Sequence, residues 1–257
     1  MNIESYAYQP APPPSPVRWT LVDLILIGAL TVALSAVLVI LVRLSAQIGI
    51  GDLRDAITNH PLIASLGLAG ALYLLAVIAT GIVIVGRGRG SWREIGFRAP
   101  PLLPMLLTPL IFAVQMTALI VVNLSLTQII GQFENPQLEA FADPSGFTWS
   151  NFAVAFVVVA IIAPIVEEMI FRGLLYQWLR ARTNVVLAVI GTAAIFSAAH
   201  VIPVLLPALF AVGLVLTLAF EWSRSLWVTI TLHFFQNALA ISLFFYILAH
   251  PELVPQT

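Results

Sequence analysis

Apolar residues in this chain come in long runs separated by short polar stretches, at 20–42, 61–85, 102–130, 151–171, 184–201, 204–220 and 226–249. A helix needs roughly 17–25 mostly apolar residues to cross the hydrocarbon core of a bilayer. The pattern therefore predicts an all-α, polytopic membrane helix bundle with about seven transmembrane helices. Pro203 and Pro207 allow one of these helices to be re-entrant or broken, which widens the expectation to six to eight.

Residues 1–19 precede the first run and carry Pro10, Pro12, Pro13, Pro14 and Pro16. Such a segment favours extended polyproline II and cannot bury a core, so a disordered tail is expected. The run at 20–42 is too long for a signal-peptide core and reads as a retained anchor. The chain then divides into N-terminal transmembrane helices over 20–149, a C-terminal helical domain over 150–249 and a short tail over 250–257. No internal repeat is visible.

Composition sharpens this picture. Of 257 residues, 60% are hydrophobic and only 9% charged, against about a quarter charged in a soluble domain. A soluble globular enzyme is excluded. The net charge of -1 argues against nucleic acid as a partner, because no basic patch is available. Cysteine is absent, which removes disulfides, thiolate metal sites and a cysteine nucleophile.

The loop between the second and third runs holds Arg87, Arg89, Arg93 and Arg98 against Glu94, whereas the next holds Glu134, Glu139 and Asp143 without a basic residue. Arg180 and Arg182 fall in the fourth loop and Arg224 in the sixth. The excess of arginine places these even loops and the N-terminus in the cytoplasm, as in a bacterial inner-membrane protein. The first loop (Arg43, Asp52, Arg54, Asp55) is neutral. Trp19, Trp149, Trp222 and Trp227 lie at run ends and fit an interfacial aromatic belt. Asp23 lies close enough to a helix end to be solvated, Glu221 and Arg224 read as an ordinary charged loop, and Gly213 reads as a close helix contact.

Ionisable groups inside a bilayer face a protein interior or a water-filled cavity. The fourth run carries Glu167, Glu168 and Arg172, the fifth ends in Phe196 and His200, and the seventh carries His233 and Asn237. Glu168 and Arg172 stand at i and i+4 and can pair on one helix face. Glu167 points about 100° away and is left free. His233 and Asn237 again share a face, and Phe196 can pack against His200. A carboxylate in an apolar bundle suits a general base, so Glu167 can take a proton from water while His200 helps to orient that water. His233 and Asn237 can then donate to the oxyanion formed at a carbonyl. Glu168, Arg172 and Phe196 support the helix carrying the base. Together these groups point to hydrolysis of an amide bond within the membrane.

At these residues the sequence resembles the CPBP or Abi family of intramembrane proteases, which includes CAAX prenyl endopeptidases and bacteriocin-processing proteins. The family pattern EExxxR, FxxxH and HxxxN stands here as Glu167–Arg172, Phe196–His200 and His233–Asn237. The stretch SWREIGFR, Ser91 to Arg98, is similar to a segment often found before the family's third helix. The resemblance covers about residues 150–240. It implies a glutamate-dependent endopeptidase with the first glutamate as base and the histidines and asparagine around water and oxyanion. Its substrates would be membrane-embedded or lipid-modified proteins or peptides: eukaryotic relatives trim prenylated proteins, and bacterial ones are linked to bacteriocin maturation, self-immunity or surface-protein anchoring.

A set of Glu167, His200 and His233 is chemically adequate for zinc, so a zinc-dependent version is an alternative to the favoured metal-free one. A non-catalytic immunity or scaffold protein is a second alternative. A transporter is a third, disfavoured because the first three runs hold almost no ionisable residue at their centres. Ideal vertical helices leave one tension: they bring Glu168 and His200 to one depth but miss His233 by about 12 Å. Residues 173–183 are therefore expected along the interface, unless the helices tilt and the 203–207 segment is broken.

Overall fold

The computed structural model describes residues 17–47, 57–133, 141 and 146–253. The tail over 1–16, Asp52, Arg54 and Asp55 of the first loop, and Glu134, Glu139 and Asp143 of the third lie outside the described residues, as do residues 254–257. Among the described residues every regular element is helical. Six helices are long and apolar enough to cross a membrane: α1 (Leu21–Gln47), α2 (Pro61–Gly86), α5 (Thr108–Ile130), α6 (Trp149–Arg180), α8 (Pro203–Ser223) and α9 (Leu226–Ala249). The short helices α3 (Trp92–Ile95) and α4 (Leu102–Leu106) lie between α2 and α5. Helix α7 (Val185–Ala199) has 15 residues, roughly 22 Å of rise, and is shorter than its apolar run suggests.

Three departures from the expected spans have local causes. The run at 102–130 breaks at Leu107 because Pro109 has no N–H for the carbonyl of Met105. The Thr108 hydroxyl donates to that carbonyl instead, at 2.8 Å. Helix α7 ends at His200, and Val201 turns the chain with φ 56° into the single 3-10 turn Pro203–Leu205 that opens α8. Helix α6 does not stop near Phe171 but runs as one helix to Arg180. Of the polar residues in this continuation, Tyr176, Gln177 and Arg180 find partners. The Gln177 amide donates to the carbonyls of Glu94, Ile95 and Gly173 at 3.1, 2.8 and 2.7 Å, and the Tyr176 hydroxyl donates to Glu221 at 2.6 Å.

That continuation resolves the tension in depth. The segment Ser91–Arg98 forms a wedge: Ser91 and Glu94 cap α3 reciprocally, and Ile95 is fully buried against Gly173. A Cβ on Gly173 would lie 2.6 Å from Ile95 Cγ2 and 3.4 Å from Leu226 Cδ1. Gly96 adopts φ +127°, and its carbonyl accepts from the Leu226 N–H at 2.9 Å. The start of α9 is thus level with Gly173, and α6 overhangs it by about two turns. Glu168 lies five residues beyond this level and His233 seven, which gives them nearly one depth without bending the helices into the interface.

The overhang is tied down at the arginine-rich end. Glu221 on α8 accepts from Tyr176 and pairs with Arg180 at 3.4 Å and Arg224 at 2.7 Å, so it is a hub between α6 and α8 and not an ordinary loop charge. Arg98 donates from Nε to the Arg224 carbonyl. Asp23, expected to be solvated, is buried and pairs with Arg87 at 3.0 Å and Arg89 at 3.8 Å. Trp19 is also buried, and its indole donates to Leu174 O at 3.1 Å. Trp149, Trp222 and Trp227 remain exposed. At Gly213 a Cβ would fall 2.9 Å from the Ala193 Cα, so the missing side chain is what lets α8 lie against α7.

Candidate active site

Glu167 and Glu168 sit near the middle of α6, between two π-helical stretches, Phe156–Ile162 and Met169–Tyr176. The helix turns them to different environments. Glu168 is fully buried, and its Oε1 accepts from Arg172 Nη1 at 2.8 Å and from His233 Nδ1 at 2.8 Å. Arg172 is equally buried; its Nη2 donates to Gly213 O at 3.2 Å, and its guanidinium lies 4.5 Å over the Phe196 ring. Phe196 in turn meets the rings of His200 and His233 edge-on at 4.9 and 6.1 Å.

Glu167 faces a cavity of about 520 Å³. The cavity is lined by α2, α6, α8, α9 and the end of α7, with His200, His233, Gln236 and Asn237 among its polar groups. Glu167 Oε1 accepts from the Tyr73 hydroxyl of α2 at 2.8 Å, and Oε2 lies 3.8 Å from His233 Nε2. Most of the remaining wall is apolar. All seven residues singled out in the sequence, Glu167, Glu168, Arg172, Phe196, His200, His233 and Asn237, therefore meet at one place, five of them on the cavity wall and the Glu168–Arg172 pair behind it.

Residues 149–239 match the family model described as Type II CAAX prenyl endopeptidase Rce1-like. This segment is thus similar to CAAX prenyl endopeptidases. The membrane-embedded CAAX protease MroQ of Staphylococcus aureus is similar to it, 30% identical over 137 residues, which cover 51% of this chain and 54% of that protein. The chain thus spans about half the length of this curated relative. No solved structure matches it. The match begins at the start of α6 and ends within α9, so it contains Glu167–Arg172, Phe196–His200 and His233–Asn237.

The hydrogen bonds fix what the two histidines present to the cavity. His200 Nδ1 lies 2.9 Å from the Phe196 carbonyl, which only accepts, so Nδ1 carries the proton. His233 Nδ1 faces a carboxylate that already holds Arg172, so it too is the donor. In the neutral form both rings therefore turn a lone pair at Nε2 to the cavity. His233 becomes a donor there only after taking up a proton, and Glu168 is placed to stabilise the resulting imidazolium. The Asn237 amide already donates to Val159 O at 2.9 Å. Val159 lies five residues before Pro164, and a proline nitrogen cannot serve that carbonyl in the π register. Asn237 thus braces α6 against α9 with one N–H and keeps the second.

Two cavity residues escape the motif reading. Tyr73 lies in an apolar run, where one tyrosine reads as core or belt. Gln236 lies beside Asn237, and its Oε1 accepts from the buried Gln115 of α5; two glutamines on different apolar runs were the available signal. Among the described residues, no three His, Cys, Asp or Glu side chains are grouped to hold a metal ion. The zinc set of Glu167, His200 and His233 shares the cavity without forming such a group.

Proposed function

We propose that the protein is an intramembrane endopeptidase that hydrolyses a peptide bond of a membrane-embedded or lipid-modified protein or peptide, with Glu167 activating the water and no metal required. The observation that carries this reading is the Glu167 carboxylate on the cavity wall, with one oxygen on Tyr73 and the other turned towards His233. Water in the cavity gives a proton to Glu167 while its oxygen bonds to the substrate carbonyl carbon, and His200 Nε2 accepts the second O–H to orient the attack. The free N–H of Asn237 faces the developing oxyanion. Collapse of the intermediate breaks the C–N bond, and the leaving nitrogen takes the proton from Glu167, directly or through His233. The apolar wall accommodates side chains of a membrane-resident substrate. The arginine-rich end of the bundle faces the cytoplasm in this reading, as in a bacterial inner membrane.

The test is cleavage of quenched peptides, farnesylated and unmodified, by the protein in liposomes, beside its Glu167→Gln variant. Cleavage is expected to fall at least about a thousandfold in the variant and to persist with a strong chelator. Loss on chelation with recovery on added zinc overturns the metal-free mechanism. Undiminished cleavage by the variant removes Glu167 from the role of base.

A further inference from the structure

We infer that Tyr73, on α2 and outside the family-matched region, is a positioning residue for Glu167; this rests on the reading of Glu167 as the base. A glutamate at the wall of an apolar cavity has two chemically equivalent oxygens and free rotation about its terminal bond. Water activation needs one of them aimed at the reacting water. The Tyr73 hydroxyl donates to Oε1 at 2.8 Å, and this phenol can act here only as donor, because its partner is a carboxylate. Oε2 is left as the proton-accepting atom, 3.8 Å from His233 Nε2.

Tyr73 is itself held in place. Three residues before it, Gly70 lies against α6, where a Cβ would touch Val158 Cγ2 at 3.6 Å and Ile162 Cδ1 at 4.0 Å. Helix α2 therefore runs alongside the helix that carries the base, and the tyrosine reaches across to it. Glu167 has no arginine of its own, since Arg172 is bonded to Glu168 and Gly213. The phenol is the neutral group that fixes its orientation. As Glu167 takes the proton on Oε2, the Tyr73 hydrogen bond to Oε1 persists, so the carboxyl stays aimed for returning that proton to the leaving nitrogen.

Two measurements on the full chain test this. In the first, 3-fluorotyrosine replaces Tyr73 and its fluorine resonance is recorded in liposomes. The resonance is expected to shift when Glu167→Gln is added and to stay in place with Glu221→Gln, which touches Tyr176 instead. An unmoved resonance in the first case overturns the inference. In the second, Tyr73→Phe is assayed on the same quenched peptides. A hydrogen bond to a charged group is lost, so kcat is expected to fall about tenfold, with KM within about twofold and activity retained by the fluorotyrosine protein. A Tyr73→Phe protein with undiminished kcat, while Glu167→Gln is inactive, overturns the positioning role alone. A Glu167→Gln protein that still cleaves overturns the reading of the base. If the parent cleaves none of the peptides, that result counts against the proteolytic reading, and the fluorine shift decides the contact by itself.

Discussion

Helices α5 and α6 both satisfy the length and apolarity test for a membrane span, yet they live in different surroundings. In the most apolar stretch of α5, 6% of residues are buried within the protein; in that of α6 the figure is 44%. Helix α1 resembles α5, at 6%, and α8 resembles α6, at 50%. Lipid is as apolar as a protein core, so hydropathy alone does not separate a peripheral helix from a central one. What separates them is the chemistry each must satisfy internally. Helix α6 carries two carboxylates and a guanidinium at its centre, and these require neighbours that supply donors, acceptors and close contact. Helix α5 contributes a single buried amide, Gln115, to the same interior.

This contrast is sharpest where a charge is removed from the centre. Arg172→Met leaves Glu168 buried without its guanidinium partner, and breaking a buried pair in this way costs about 3–5 kcal/mol. A correspondingly large drop in thermal stability in detergent is expected. A parent-like melting curve would show that the centre of the bundle does not depend on the pair. Next in size is Gly213→Ala. The new methyl group meets the Ala193 backbone, and a Gly213 shift also disturbs the carbonyl that accepts from Arg172 and Thr217. Overpacking of this kind costs about 1–3 kcal/mol, measured as a lower melting temperature. The smallest effect belongs to the periphery: at Gly28 in α1 a Cβ meets nothing within 4 Å. Gly28→Ala is expected to change stability by less than about 1 kcal/mol, in the stabilising direction. A loss as large as that at Gly213 would erase the distinction between the two regions.

The same distinction governs what could be read in advance. Apolar length gave the spans of α1, α2 and α9, and i, i+4 spacing gave the pairing of Glu168 with Arg172 that leaves Glu167 to a different environment, because both are properties of one helix. Contacts between helices were less legible. The continuation of α6 depends on carbonyls of the Ser91–Arg98 wedge accepting from Gln177, far away in the chain. Asp23 and Trp19 looked interfacial because nothing in their own segment signals that Arg87, Arg89 and Leu174 cover them. Asn237 looked wholly available for substrate because the π register of α6, which leaves Val159 O in need of a donor, has no sequence signature. Tyr73 carried no signal at all, because it stands alone among apolar neighbours and its partner Glu167 lies 94 residues away.

The Ser91–Arg98 wedge, packed on α6 and the start of α9, has a consequence for where the proposed protease would cut its substrate. It sets Leu226 level with Gly173, close to the exposed Trp222 and Trp227, and His233 follows seven residues, about 10 Å, further along α9. Any bond hydrolysed at Glu167 must therefore come to rest at that distance from the arginine-bearing surface. In the proposed protease the wedge would act as a ruler, with selection by position along the helix axis coming before any preference for the side chains flanking the bond.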